Sequence, residues 1–317
     1  MSDMMNSRCK IRPFDSCDTD GFIRLALLSA GGGPEEEKEA ERRNLLSLER
    51  PGFKPARDLL LAEDPGGRLA GYGRCFKEAA ISRQLVEVFV SPRHRRRGIG
   101  SRLMERLLAL GRKAGAVICH TRLIEGSREA DFCLRLGFRP VRRYLEMSCD
   151  LAGVARGAND ENVGPFDRFS AGEENRLAKL QNGSFRGSWG FCPNSSEDIH
   201  FFLRATRCSL EDVILLKQEE RDAGYLWPSF AHEKIPSDGT RPARIHMLGL
   251  LPVYRGRGRS RNLLRCGLAD LRNRGYLRAV LTVDAENTPA LALYSSLGFK
   301  TEFGWIWYER GIDSGSP

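Results

Sequence analysis

The sequence of 317 residues has no apolar run long enough to span a membrane, and its first ten residues lack the apolar core of a signal peptide. It has nine cysteines, yet these form neither a Cys-x-x-Cys pair nor a Cys/His cluster with the spacing of zinc ligands. Dispersed cysteines are typical of reduced thiols that pack as small core residues. These absences predict a cytoplasmic protein with no membrane segment and no metal site.

Acidic residues are fewer than basic ones: 50 lysines and arginines stand against 41 aspartates and glutamates, which gives a net charge of +9. Such a charge favours anionic partners in general. Arginines cluster at 93–97 and 255–261, but no aromatic residues that could stack on bases are interleaved with them. We therefore do not expect nucleic acid as the main partner, and a plain solvated basic surface is the simplest alternative.

One composite motif occurs twice, about half the chain apart. Each copy has an apolar strand, a proline, an arginine–glycine loop and a closing Leu-Gly-Phe. The copies comprise 86–90, Pro92, 95–100 and 136–138 in the first half, and 245–251, Pro252, 255–260 and 297–299 in the second. The two prolines lie 160 residues apart and the two closing glycines 161. A nearly constant offset across separate motifs predicts two copies of one domain.

The order of predicted elements is the same in both halves, with antiparallel strands first and crossover helices later. The sequence Pro65-Gly66-Gly67 predicts a hairpin, and leucines recur at helical spacing within 98–112 and 258–272. This order predicts an α/β fold of two tandem domains, each a mixed, mostly antiparallel sheet flanked by helices on both faces. A Gly-, Ala- and Asn-rich segment at 151–161 places the predicted boundary between domains 1–152 and 153–317.

The Arg-x-x-Gly-x-Gly loop follows a buried strand directly and opens a helix. Its glycines allow several backbone N–H groups to point at one place, and the helix dipole adds positive potential there. Arginine side chains add charge-assisted hydrogen bonds to phosphate. One such loop could be an ordinary tight turn, but two in equivalent positions indicate phosphate binding.

In this order the motifs resemble those of the GNAT superfamily of acetyl-CoA-dependent N-acetyltransferases. The match is close in the second copy, where 250–258 precedes Asn287, Tyr294 and 297–299. The resemblance covers nearly the whole chain, and the tandem pairing is similar to that of the mycothiol synthases. It implies two GNAT-like domains and the transfer of an acetyl group from acetyl-CoA to a primary amine, a small molecule, by direct attack in a ternary complex.

The resemblance also implies where the coenzyme lies. The proline-terminated strand splays from the next strand, the pantetheine arm fills the gap, backbone N–H groups polarise the thioester carbonyl, and the glycine loop wraps the pyrophosphate. The implied coenzyme-binding residues are Leu248, Leu250, Arg255, Gly256, Arg257, Gly258, Arg259, Ser260 and Asn287 in the second copy, and Val88, Val90, Arg95, Arg96, Arg97, Gly98 and Gly100 in the first.

Two of these assignments have open alternatives. Asn287 precedes Thr288 and Pro289, so it could be a helix N-cap rather than a pantetheine contact. Ser260 replaces the small glycine or alanine that usually ends the loop, and its hydroxyl could either fit or crowd the phosphate.

The implied catalytic acid is Tyr294, which would protonate the departing thiolate, although it could instead be a core aromatic. The family's usual glutamate on the splayed strand is replaced by Arg244, so His246, two residues further on the same face, is the candidate base. A half-buried strand histidine with no catalytic role is the alternative, and His232 and Glu233 are weaker candidates.

The two copies are not equivalent. Aligning them on Leu-Gly-Phe places Cys133 opposite Tyr294, so the first domain is predicted to bind the coenzyme or serve as a scaffold, and the second to be catalytic. Two other functions stay open at this point: a non-catalytic acyl-CoA-binding or regulatory protein, and mycothiol synthase proper.

Overall fold

The computed structural model describes residues 9–30, 34–154, 166–231 and 242–312. The chain divides into two compact units, one made of residues 1–142 and 306–317 and the other of residues 143–305. The division predicted at residue 152 instead groups 143–152 with the first half and 306–317 with the second. The composition break at 151–161 marks where the chain leaves a strand. Residues 144–150 of that strand pair with residues 278–284, so they belong to the second unit although they precede the break.

The elements of the first half of the chain follow the predicted order. They are strand β1 (Lys10–Pro13), helices α1 (Thr19–Ala30), α2 (Pro34–Ser47) and α3 (Pro55–Asp58), strands β2 (Leu59–Glu63), β3 (Leu69–Glu78) and β4 (Arg83–Val90), helix α4 (Ile99–Lys113), strand β5 (Ile118–Ile124), helix α5 (Glu129–Arg135) and strand β6 (Arg139–Asp150).

The second half repeats this succession. It contains strand β7 (Phe166–Arg168), helices α6 (Glu174–Phe185) and α7 (Ser196–Thr206), strands β8 (Ile214–Gln218), β9 (Arg221–Ser229) and β10 (Ala243–Leu250), helix α8 (Arg259–Asn273), strand β11 (Arg278–Asp284), helix α9 (Thr288–Ser296) and strand β12 (Lys300–Gly311). The repeat inferred from the sequence is therefore a repeat of structure.

Each unit is built on one mixed sheet. In the first unit the strand order is β1-β2-β3-β4-β5-β12, and in the second it is β7-β8-β9-β10-β11-β6. Neighbours β1 to β4 are antiparallel, as are β7 to β10, whereas β4 pairs with β5, and β10 with β11, in parallel. The predicted mixed sheet, mostly antiparallel within an α/β fold, is confirmed.

Helices cover both faces of each sheet, because alternate strand residues point to opposite sides. In the first unit, Leu60 of β2 packs in the core that includes Leu103 of α4, while its neighbour Leu61 packs in the core that includes Phe22 of α1. In the second unit one core contains residues of α8 and α9, and the other contains residues of α6 and α7. Fully buried leucines such as Leu103 each contribute about 1.5–3 kcal/mol to folding.

All nine cysteines lie in described residues, and all are free thiols. The buried ones are Cys9, Cys75, Cys119, Cys133 and Cys149. Among the helices of the described ranges, no helix has both the length and the apolar character needed to cross a membrane.

Candidate active site

A gap opens between the two parallel strands of each unit. Strand β10 pairs with β11 only at Ala243 and Arg244, and from Ile245 onward it continues beside β9 alone. Strand β4 likewise pairs with β5 only from Arg83 to Leu85. The predicted splay of the proline-terminated strand is therefore present in both units, and it leaves one backbone edge of each strand facing a gap.

The strand alternation identifies the amides that face the gap of the second unit. Leu251 donates its N–H to the carbonyl of Ala223 on β9, so the N–H groups of Leu250 and Leu248 lie on the opposite edge. The same reasoning applies to the first unit, where Ser91 donates to Ala70. Val90 and Val88 accordingly direct their N–H groups into the gap between β4 and β5. These are the four strand residues that the sequence predicted.

Strand β10 of the second unit has a β-bulge that its counterpart β4 in the first unit lacks. The pairing of β10 with β9 shifts by one residue between Ile245 and Met247, where Ile245 lies opposite Pro228. Proline has no N–H for the ladder, and bulges are typical of such positions and of strands beside active sites. The register of β4 on β3 runs without interruption from Arg83 to Val90.

The loop after each splayed strand has the same backbone conformation in both units. Gly258 is the N-cap of α8 with φ of 74°, and Gly98 is the N-cap of α4 with φ of 75°. Two residues earlier, Gly256 has φ of 81° and Arg96 has φ of 64°. A β-carbon added at Gly256 or Gly258 would meet no heavy atom within 4 Å, so these glycines are favoured by the backbone conformation and border open space.

The start of α8 presents unpaired donors. Arg261 and Asn262 are the first residues of the helix to donate their N–H groups, both to the carbonyl of Gly258. Within the described ranges, the N–H groups of residues 256–260 have no backbone hydrogen-bond acceptor. Several free N–H donors beside a helix N-terminus form an anion-binding geometry.

Arg255 and Arg95 make a contact that the sequence did not predict. Arg255 donates from Nε to the carbonyl of Leu250 (3.1 Å) and from Nη2 to the carbonyl of Ser184 at the end of α6 (2.5 Å). Arg95 donates in the same way to the carbonyl of Val90 (3.2 Å). Both side chains thereby tie the loop to the end of its strand.

Replacing Arg255 with alanine is expected to lower the free energy of unfolding by about 1–2 kcal/mol, because a charged donor to two backbone carbonyls is lost. Chemical denaturation measures this change. The control is Arg257→Ala on the same exposed loop, which should change the free energy of unfolding by less than about 0.5 kcal/mol. Equal losses for the two variants would contradict the structural role of Arg255.

A cavity of about 920 Å³ lies beside the loop of the first unit. Its lining includes Asp64, Arg68, Arg93, His94, Arg97 and Arg102. Asp64 pairs with Arg68 (3.3 Å) and lies 3.4 Å from Nε2 of His94, and Arg102 donates to the carbonyl of Cys9 (2.8 Å). Arginines therefore outnumber carboxylates in this cavity, so it is suited to an anion.

Tyr294 lies on α9 with 9% of its surface exposed, and its ring packs against Phe299 at 5.8 Å between centroids. Burial raises the pKa of Tyr294 to about 12, so the phenol keeps its proton throughout the neutral range. Its counterpart in the first unit, Cys133, is buried, and burial raises the pKa of that thiol to about 11.

Asn287 is the N-cap of α9, since its side-chain oxygen accepts the N–H of Ala290 at 3.2 Å. The capping role that was one of two alternatives is thus present, and a pantetheine contact would fall to the side-chain amide nitrogen. Ser260 is half-buried in the first turn of α8. At the equivalent Gly100 of the first unit, a β-carbon would lie 3.2 Å from the ring of Phe132.

His246 occupies the bulge of β10. Its ring meets Trp227 at 5.2 Å, edge to face, and Phe202 at 6.5 Å between centroids. Trp227 and Phe202 pack in the core under α6 and α7, so His246 points to that face. Arg244 points to the same side, because it bonds Thr282 and Glu146, whose strand neighbours lie in the opposite core. His246 and Arg244 therefore lie on one face of β10, as predicted. His232 and Glu233 lie outside the described residues.

A buried carboxylate that the sequence analysis missed lies beside Arg244. Glu146 of β6 is 7% exposed and forms an ion pair with Arg244, which also donates to the hydroxyl of Thr282 at 3.0 Å. The Thr282 hydroxyl in turn donates to Oε2 of Glu146 at 2.7 Å. No local sequence signal marks Glu146, because a single polar residue between buried Leu145 and Met147 is ordinary strand alternation.

The chain matches two profiles of known protein families. Residues 55–140 match the acetyltransferase (GNAT) domain, and residues 175–299 match the acetyltransferase (GNAT) family. The chain therefore belongs to the GNAT superfamily and is an N-acetyltransferase. It is of the tandem type, with one GNAT domain in each half of the sequence.

Mycothiol acetyltransferases are among the curated relatives that match this chain. That of Nocardia farcinica is 29% identical over 285 residues, covering 86% of this chain and 88% of the relative. That of Saccharomonospora viridis is 28% identical over 315 residues, covering 94% of this chain and 96% of the relative. The chain is similar to these enzymes over nearly its whole length.

Solved structures share the fold. A GCN5-related N-acetyltransferase from Sphaerobacter thermophilus superimposes with a TM-score of 0.69 at 21% identity, covering 98% of this chain and 97% of its own. A tandem GNAT protein from the clavulanic acid biosynthesis pathway superimposes with a TM-score of 0.69 at 17% identity, covering 97% of this chain and 100% of that protein.

Proposed function

We propose that the second unit transfers an acetyl group from acetyl-CoA to a primary amine of a small molecule, by direct attack in a ternary complex. The observation that carries this proposal is a combination that, among the described residues, only the second unit has: a bulged, splayed strand, a left-handed glycine loop at a helix start, and a buried tyrosine on the next helix. The mycothiol acetyltransferases among the relatives support a small-molecule acceptor.

The residues present fit acetyl-CoA. The N–H groups of 256–260 suit a pyrophosphate, the open space beside Gly256 and Gly258 leaves room for it, and Arg257 adds positive charge at the exposed loop. The gap-facing N–H groups of Leu248 and Leu250 suit the pantetheine arm and the thioester carbonyl. When bound, acetyl-CoA supplies the activated acetyl group.

The chain's own residues have three tasks in the chemical step. The Leu248 and Leu250 amides stabilise negative charge that develops on the carbonyl oxygen. Tyr294 holds a proton that it gives to the departing thiolate, which its raised pKa of about 12 keeps available at neutral pH. His246 keeps the role of candidate base in this proposal.

The first unit is proposed to bind the coenzyme without catalysing transfer. Its loop has the conformation of the second loop, and its cavity is rich in arginine. It has a buried cysteine in place of the tyrosine and no bulge in β4. The proposal does not extend to mycothiol synthase proper, because Arg244 stands where the family usually has glutamate.

The test is a screen for thiol release from acetyl-CoA with a panel of primary amines that includes glucosamine, an α-amino amide and a diamine. Titration calorimetry with acetyl-CoA gives the number of molecules bound per chain. Amine-dependent thiol release supports the proposal. Tight coenzyme binding without thiol release from any amine would favour a non-catalytic acyl-CoA-binding protein instead.

The rate of transfer is not expected to decline on the alkaline side below about pH 11, because a group is protonated below its pKa and that of Tyr294 is about 12. The rate should rise with pH as the acceptor amine loses its proton, and then level. Initial rates measured between about pH 6 and 10 check this expectation. A fall in kcat within that range would assign proton donation to a group other than Tyr294.

A further inference from the structure

The cluster of Glu146, Arg244 and Thr282 lies where the gap of the second unit closes. Arg244 is the last residue of β10 that pairs with β11, and Thr282 is two residues beyond that point on β11. Glu146 lies directly opposite Thr282 on β6. The cluster therefore spans three adjacent strands at the place from which β10 diverges.

The cluster is on the face opposite the core formed with α8 and α9. On β11, Ala279, Leu281 and Val283 belong to that core, so Thr282 between them points the other way. On β6, Leu145 and Met147 belong to the same core, so Glu146 also points away from it. Arg244 must share this face because its guanidinium bonds both groups.

On the splayed strand, Arg244 places a positive charge where the family usually has the negative charge of a glutamate. Arg244 alone would repel an acceptor ammonium, and Glu146 offsets that charge within the same group of hydrogen bonds. A carboxylate with 7% exposure is costly to bury unless it is paired, and here it is held by both a guanidinium and a hydroxyl. The carboxylate is thus fixed in place at the closed end of the gap.

We propose that Glu146, rather than His246, binds the acceptor amine and accepts its proton, in place of a glutamate on β10. This inference rests on the proposed function. As the N–C bond forms and the C–S bond breaks, one proton passes from the amine nitrogen to Glu146, and one passes from Tyr294 to the thiolate. Solvent then takes the proton from Glu146 and returns one to Tyr294. Arg244 and Thr282 are positioning residues, which hold the carboxylate without touching the reacting atoms.

The decisive variant removes both charges at once, so that no charge is left buried alone. Glu146→Gln combined with Arg244→Gln is expected to lower kcat/KM for the amine at least about 100-fold, with the acetyl-CoA dissociation constant unchanged within about twofold. The amine is the one that the wild type acetylates fastest in the panel above.

The second unit offers a matched control on the same face. Glu302 is paired with Arg278 and accepts the Ser148 hydroxyl at 2.5 Å, which repeats the arrangement of the proposed site. Glu302→Gln combined with Arg278→Gln should change kcat/KM less than about threefold. A second variant, Glu146→Asp, keeps the buried charge but withdraws the carboxylate by one methylene. It should lower kcat/KM about tenfold or more, whereas a merely structural charge would tolerate it.

The outcomes separate this inference from the proposed function. If the wild type acetylates an amine and both Glu146 variants keep its kcat/KM, the role of Glu146 is overturned and the proposed function stands. A wild type that acetylates no amine of the panel overturns both. If the double variant does not fold, the kcat/KM of Glu146→Asp decides.

Discussion

Replacing Tyr294 with phenylalanine is expected to lower kcat about 100- to 1,000-fold, because the proton for the departing thiolate is lost with the hydroxyl. Acetyl-CoA affinity should stay within about twofold, since the ring and its packing against Phe299 are retained. Steady-state kinetics together with calorimetry measure both quantities on the same preparation.

The control for this substitution is Tyr308→Phe, which removes a hydroxyl from a buried tyrosine of the first unit. It should leave kcat within about twofold. If Tyr294→Phe also retained full turnover, Tyr294 would be a core aromatic only, which is the alternative that its place on α9 allowed.

Replacing Gly258 with aspartate is expected to weaken acetyl-CoA binding about 100-fold or more, because a carboxylate would stand beside the coenzyme's phosphates and repel them. Gly258 has φ of 74° and no heavy atom within 4 Å of an added β-carbon. Aspartate and asparagine tolerate this backbone conformation better than other side chains. The fold should therefore accept either residue.

Gly258→Asn supplies the matched control, since it has nearly the same shape without the charge. It should weaken binding about tenfold at most. The same pair of substitutions at Gly98 tests the first unit, where aspartate should reduce the number of acetyl-CoA molecules bound per chain. Equal affinities of Gly258→Asp and Gly258→Asn would contradict the placement of phosphate at this loop.

The sequence predicted most elements of the fold because the decisive signals are local. The helical spacing of Leu264, Leu268 and Leu271 corresponds to the buried side of α8, and the glycine at 258 marks its start. The turn residues at 65–67 join β2 and β3 as predicted. The constant offset between the copies extended these local signals to the whole chain, which is why the tandem architecture was also predicted.

Features that depend on strand pairing were not predictable in this way. The membership of residues 143–150 and 306–311 in the two units depends on the partners of β6 and β12, which no local pattern specifies. The bulge in β10 depends on Pro228 of β9 lying opposite Ile245. Glu146 approaches Arg244 across 98 residues of sequence, so only the folded sheet brings them together.

The loop motif also does not predict which groups its arginine side chains contact. The Arg-x-x-Gly-x-Gly pattern does not distinguish an arginine that binds phosphate from one that supports the loop. Arg255 donates to two backbone carbonyls, and one of these belongs to Ser184, 71 residues away in the sequence. Such a contact requires the packing of α6 against β10, where a β-carbon on Gly249 would lie 2.9 Å from that of Ser184.

A calorimetric titration of the wild-type chain with acetyl-CoA tests most directly whether the splayed strands and their glycine loops hold a nucleotide thioester. The account predicts saturable binding with a dissociation constant below about 1 mM, weakened in Gly258→Asp. The absence of any binding heat at millimolar acetyl-CoA, with the protein folded, would contradict it.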